Sequence, residues 1–161
     1  MFPGAYFPKV YFPGTYFPPA AGSTFSWLAL DVARLLASAG LGTVGGDVFV
    51  GGFPPEPVAA LAVIDRKPLL PADWTMAANR AGVALEYPIC EVLARAGTYA
   101  AARSRLELAY RTILGFRGGR LGRAVYASLE PLSAPYWVGE EEAGAQVLGF
   151  EVEAAKGLTR I

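Results

Sequence analysis

The sequence predicts an α+β fold: a mostly antiparallel sheet of four to five strands packed by two main helices, with an extended N-terminal arm. Three observations carry this. Two stretches place apolar residues at helical spacing, and five shorter ones read as strands bounded by Gly and Pro. Their order is helix, strand, strand, irregular segment, strand, helix, strand, strand, which suits one α+β layer. Ahead of them the tripeptide Tyr-Phe-Pro occurs three times, at Tyr6, Tyr11 and Tyr16.

Residues 1–22 form the arm, and 23–161 read as a single domain. Proline restricts each preceding Phe to extended conformations. "FPGA" and "FPGT" suit type II turns. A period of five puts successive aromatics on opposite faces of a strand, so the arm reads as extended pieces joined by turns. Its seven aromatics are Phe2, Tyr6, Phe7, Tyr11, Phe12, Tyr16 and Phe17, and Lys9 is its only charge. Disordered tails are usually charged and poor in aromatics. The arm is therefore expected to dock on a surface that already exists, on a neighbouring subunit or another protein. The alternative is an extra strand on its own domain.

Ser23 or Thr24 can cap a first helix beginning near Phe25, with Trp27, Leu28, Val32, Leu35, Leu36 and Ala39 on its apolar side and Gly40 and Gly42 ending it. "DVFV" reads as a short strand closing in the proline-rich "GGFPPEP", and residues 58–64 as the next strand. Asp73 can cap a short turn running to Asn79 within an irregular segment. A long strand follows from about Val83 to Arg95, with a bulge or edge at Pro88. Thr98 caps the second helix. Its apolar face is Tyr99, Ala102, Leu106, Ala109, Tyr110 and Ile113, with Arg103, Glu107 and Arg111 on the other side at i, i+4 spacing. "GFRGGRLGR" reads as a glycine-rich loop. "AVYASLEPL" and "AQVLGFEVEA" read as two strands joined by "SAPYWVGEEEAG".

Composition narrows the chemistry. The 161 residues are 53% hydrophobic and 17% charged, an apolar excess that suggests association. Formal net charge is zero, so no global pull toward nucleic acid or acidic membranes exists. Histidine is absent, which removes the commonest general base and metal ligand. The single cysteine, Cys90, excludes an internal disulfide and reads as a buried, inert thiol. The N-terminus lacks the basic region and uninterrupted apolar run of a signal peptide, and Asp31 and Arg34 interrupt the best candidate for a membrane span. An intracellular, soluble protein is the expectation. Asn79 and Gln146 are the only amide side chains, compatible with a thermophilic source or a GC-rich genome.

No catalytic, cofactor-binding or metal-binding constellation is found, so no enzyme and no cofactor are expected. "GTVGGD" lacks the Gly-Lys-Ser/Thr ending of a phosphate loop. A small hydrolase would need a nucleophile–base pair that the sequence does not offer. Arg117, Arg120 and Arg123 in the glycine-rich loop are either DNA phosphate contacts or cations at a helix C-terminus. Glu140, Glu141 and Glu142 read as a solvated turn or an acidic contact surface.

Charge is segregated along the chain. Residues 97–125 hold six arginines against Glu107, a net of +5, and residues 126–155 hold six glutamates and no cation, a net of −6. A subunit of this kind can stack head-to-tail, and such contacts close into rings when the rotation permits. Arg103, Arg105 and Arg111 on one copy, with Glu140, Glu141 and Glu142 on the next, are the candidate interface residues. A nucleic-acid-binding module built on the Gly/Arg loop is the reading from a different class.

Four stretches, in order, carry a family resemblance: "LDVARLLASAGLGTVGGDVFVGGFPPEPVAALAVI", "CEVLARAGTYAAARSRLELAYRTILGF", "LGRAVYASLEPLSAPYWVG" and "EEEAGAQVLGFEVEA". From about Phe25 onward the sequence resembles the minor capsid and tail-terminator family of long-tailed bacteriophages. The resemblance implies a small α+β virion protein, assembled in the host cytoplasm into a ring of six copies at the head-proximal end of a tail. The ring would cap the tail tube, join it to the head-side connector and let DNA pass without sequence-specific binding. Its partners would be itself, the tail tube protein and the connector, with no membrane and no catalysis. Another head–tail connector or minor capsid component is the nearest alternative. The arm and "RKPLLPADWTMAANRAG" depart from the family pattern.

Overall fold

The computed structural model describes residues 27–69 and 83–159. The elements are α1 (Leu28–Ser38), β1 (Val48–Val50), β2 (Ala60–Arg66), β3 (Val83–Glu86), β4 (Ile89–Ala96), α2 (Tyr99–Gly115), β5 (Gly119–Leu121), β6 (Ala124–Pro131), β7 (Tyr136–Glu140) and β8 (Gln146–Thr159). The class is the expected α+β, with two helices and one mostly antiparallel sheet. Among the described residues the strands number eight rather than four or five. The arm and the Asp73 turn lie outside the described residues.

The additional strands were hidden in segments that read as connections. "GFRGGRLGR" is not an open loop: β5 pairs antiparallel with β6, and Leu121 stands opposite Ala124 around the two-residue turn Gly122-Arg123. Gly122 takes φ +60 there, as tight hairpins demand. "SAPYWVGEEEAG" likewise contains β7, which pairs with the start of β8. The long strand expected over Val83–Arg95 is present as β3 and β4. Glu86 opposes Lys156 and Ile89 opposes Glu153, so both keep one register along β8. Tyr87 and Pro88 interrupt the ladder, yet the Pro88 carbonyl still accepts from Ala154 N at 3.0 Å.

β8 is the axis of the sheet. One edge carries β3 and β4, and the other carries β6 and β7. Beyond β4 lie β2, antiparallel, and β1, parallel to β2. Gly149 sits between β4 and β7: a Cβ there would come within 2.6 Å of Leu93 Cδ2 and 3.1 Å of the Val92 carbonyl.

Both helices cover one face of the sheet. Leu28, Val32 and Leu36 of α1 and Ala102, Leu106, Ala109 and Ile113 of α2 share one core. The sheet contributes Leu61 and Val63, Val92 and Ala94, and Phe150 and Val152, which alternate as a half-buried sheet requires. Each large aliphatic buried here contributes about 1.5–3 kcal/mol. The Tyr110 and Phe150 rings meet edge to face with centroids 5.0 Å apart. α2 starts as expected, with Thr98 Oγ1 accepting from Ala101 N at 3.2 Å.

The start of α1 differs from expectation. The helix begins at Leu28 rather than near Phe25, with Trp27 at the N-cap and no side-chain cap of its own. Instead Asp65, at the end of β2, accepts from Ala29 N at 3.1 Å. Its carboxylate is thus placed at the positive end of the helix by tertiary structure. The C-terminus follows the sequence reading: Gly40 takes φ +85, and Leu41 N and Gly40 N donate back to Leu36 and Ala37. This is the Schellman arrangement.

Candidate functional site

The second face of the sheet lies away from the helices and carries two buried ionic groups, Arg95 and Glu91. At one end is Arg95, the penultimate residue of β4, which is 3% exposed. Its Nη2 donates to the Pro54 and Pro57 carbonyls at 2.6 and 2.8 Å, and its Nε to the Val58 carbonyl at 3.0 Å. Nη1 pairs with Glu141 at 3.3 Å, and the guanidinium lies 4.6 Å from the centre of the Phe53 ring. The reason is chemical. "FPPEPV" has three prolines and few N–H groups, so its carbonyls have no ladder to join, and the planar five-donor fork of one arginine satisfies them. Arg95 thereby folds the proline-rich loop over Ala62, Leu93 and Val147, a small apolar cluster on this face.

Farther along the same face is Glu91, 5% exposed. Arg66 grips its Oε2 through Nε at 2.7 Å and through Nη2, and Tyr136 donates its hydroxyl to Oε1 at 2.8 Å. The hydrogen bond and the attraction of Glu91 hold the Arg66 guanidinium above its ordinary pKa. Burial, then the bond to Glu91, pushes the Tyr136 phenol up. Glu151 stands directly opposite Glu91, and Glu130 directly opposite Glu153. Four carboxylates therefore share this face. The alternation in "GFEVEA" is the sequence signal for Glu151 and Glu153. Nothing local to the sequence announced Arg66, Glu91 and Tyr136, because their contact depends on the pairing of β2, β4, β7 and β8.

Of the expected interface residues, Arg103 is held by Glu107 at 3.0 Å, and Glu141 by Arg95. Arg111 is exposed on α2, and Glu140 and Glu142 are exposed around the β7–β8 turn. Arg105 is half-buried, and its Nη1 has no hydrogen-bond partner among the described residues. Arg103 and Glu107 line a cleft of about 340 Å³ with Pro135, Tyr136 and Leu148. Arg103 of α2 and the start of β7 thus border one cleft. Arg120 lies on β5 and Arg123 in the turn of the β5–β6 hairpin, with Arg117 two residues before β5, and all three are exposed. The aromatics of the arm lie outside the described residues.

Among the described residues no group of three or more His, Cys, Asp or Glu could hold a metal ion. Cys90 is fully buried, and desolvation raises its thiol pKa. No described helix is long and apolar enough to cross a membrane. The arrangement offers charged and apolar surface instead. Trp137 and Val138 of β7 and Tyr99 of α2 are about half exposed.

No protein-family model and no curated protein matches the sequence. The fold does have a counterpart. A chain of the virion of a native gene transfer agent (GTA) particle superimposes with a TM-score of 0.56, over 81% of this chain and 95% of that one. The two sequences are 18% identical, so the likeness is one of fold.

Proposed function

We propose that this chain is a structural subunit of a phage-like virion, without enzymatic activity. More specifically, it forms a ring at the head-proximal end of the tail and acts as a tail terminator. The observation that carries the reading is the match of nearly a whole virion chain to this fold. The ordered sequence resemblance from Phe25 onward supports the tail-terminator assignment. Segregated charge and apolar groups left exposed on β7 support self-association. The partners are other copies, six to a ring, with the tail tube and the head-side connector above and below.

Particles assembled without this protein test the role. A terminator's absence gives tubes of uncontrolled length that carry no heads. Tubes of normal length lacking heads point to another connector or minor capsid component. Complete particles would remove the protein from the head–tail joint altogether.

A second reading, nucleic-acid binding, rests on the exposed Arg117, Arg120 and Arg123 in and just before the β5–β6 hairpin. Retention of DNA with a steep salt slope, lost on arginine-to-alanine substitution, is its test.

A further inference from the structure

The open face of the sheet is more acidic than its own cations can balance. Glu91 and Glu151 are direct cross-strand neighbours on β4 and β8, and Glu153 and Glu130 on β8 and β6. With strands about 4.8 Å apart, the four carboxylates occupy a patch about 10 Å across. Like charges set directly opposite weaken a sheet. Of the described strand cations on this face, Arg66 is the one that meets the patch: Arg95 is taken up by the proline-rich loop and Glu141, and Arg120 of β5, opposite Val125, lies farther along. Arg66 binds Glu91 and lies within electrostatic reach of Glu151. Lys156 stands opposite Tyr126, whose ring belongs to the core on the other face. Glu151 and Glu153 are half-buried, Glu130 is exposed, and none of the three makes an ion pair among the described residues.

The complementary surplus sits at the far end of β6. Arg120 is exposed on β5 and Arg117 is exposed two residues before that strand, and neither makes an ion pair among the described residues. Six residues of extended strand separate Ala124 from Glu130, about 20 Å. Both lie on one paired strand, so the hairpin cannot fold back over its own acidic face. A molecule of zero formal charge with opposite surpluses at two ends is complementary to another copy of itself. DNA would satisfy the hairpin alone and would be repelled by the sheet face.

We propose that the acidic open face of the sheet seats the β5–β6 hairpin of a second copy of this chain, setting Arg120 and the neighbouring Arg117 against Glu130, Glu151 and Glu153. The contact is heterologous, so each copy uses its hairpin in one contact and its sheet face in the next. It rests on the ring reading above and names the surfaces that meet.

The test uses the full chain with Arg120→Cys and Glu130→Cys together, both at exposed positions, while Cys90 stays buried. Mild oxidation should give a ladder of disulfide-linked multimers, and each single variant no linkage beyond background. In parallel, Arg117→Glu with Arg120→Glu should raise the concentration for half-assembly about tenfold at low salt. Adding Glu130→Lys should restore part of that loss. Wild-type assembly with no ladder, and unchanged assembly of the arginine variant, overturns the contact while leaving the ring standing. A wild-type chain that is monomeric both alone and in particles overturns both. Loss of DNA retention by the arginine variant with assembly intact gives the hairpin to nucleic acid and overturns the contact.

Discussion

The hydroxyl of Tyr126 donates a 2.5 Å hydrogen bond to Oδ2 of Asp31, joining β6 to α1 across 95 residues of chain. Both side chains are buried, and Gly122 approaches so closely that a Cβ there would fall 2.7 Å from Asp31 Oδ1. The bond thus ties the first helix to the base of the basic hairpin. Tyr126→Phe keeps the ring and removes one donor from a buried carboxylate. The expected loss is about 1–3 kcal/mol, read as a lower midpoint in urea with an unchanged slope. An unchanged midpoint would show that the carboxylate finds full compensation elsewhere.

Arg95→Met removes the donors for three loop carbonyls and leaves Glu141 without its partner. Glu141 is exposed and returns to water, so the expected loss is about 1–3 kcal/mol, the range for leaving buried hydrogen-bonding groups unsatisfied. Hydrogen exchange should rise in residues 51–59 before it rises in β8. Arg95→Lys should fall between, since an ammonium cannot reproduce the planar fork. Equal stability of the methionine variant would mean the loop holds its place without the guanidinium.

Cys90 makes stability depend on alkaline pH. Its folded thiol pKa is raised above the ordinary 9.0 by burial. The unfolded chain releases this proton above about pH 9 and the folded chain keeps it, so stability is full below that pH and declines above it. Cys90→Ala should flatten the decline between pH 9 and 10.5, measured as the difference in urea midpoint between the two proteins. Folded protein should also resist thiol reagents at pH 8. Rapid labelling without unfolding would contradict the burial.

The acidic turn needs a selective variant. Glu141 is bound to Arg95 inside its own subunit, so reversing all three glutamates would mix folding with assembly. Glu140→Lys with Glu142→Lys leaves Glu141 in place. Weaker assembly at low salt with an unchanged melting temperature is expected if this turn faces a neighbour. Exposed pairs contribute only about 0.2–1 kcal/mol each, so light scattering over a concentration series is the appropriate readout. Unchanged assembly would remove the turn from the interface.

For the arm, the expected result of deleting residues 1–20 is an unchanged melting temperature in dilute solution and a loss of assembly or partner attachment. Trp27, at the junction with the domain, is 67% exposed. A large fall in melting temperature with association intact would assign the arm to its own core. Each buried aromatic contributes about 1.5–3 kcal/mol, so the two outcomes are well separated.

Local rules explain which elements the sequence disclosed. Thr98, the Ala102-Leu106-Ala109-Ile113 stripe and the Gly40 stop are written within a few residues of where they act, and the structure has them there. β5 and β7 escaped because their residues are exposed on both faces or rich in glycine, so no alternation marks them. Pairing to β6 and β8 makes them strands. The cap of α1 escaped for a similar reason: Asp65 lies 36 residues from the amide it accepts from. The charge surplus was visible as a count. Which glutamates share a face became visible only with the register of β4, β8 and β6.

The position of β8 has a consequence for synthesis. β3, β4, β6 and β7 all precede it, yet each completes its ladder only against it. As the ribosome releases this chain, β4 can join β2 and β6 can join β5, but the two groups share no strand until residues 146–159 emerge. Until then they hold open backbone edges and an uncovered helical layer, the kind of surface that recruits chaperones or aggregates. Closing the sheet over such separations is slow relative to forming either helix. A translation product arrested before Gln146 therefore cannot present a finished subunit to a growing assembly.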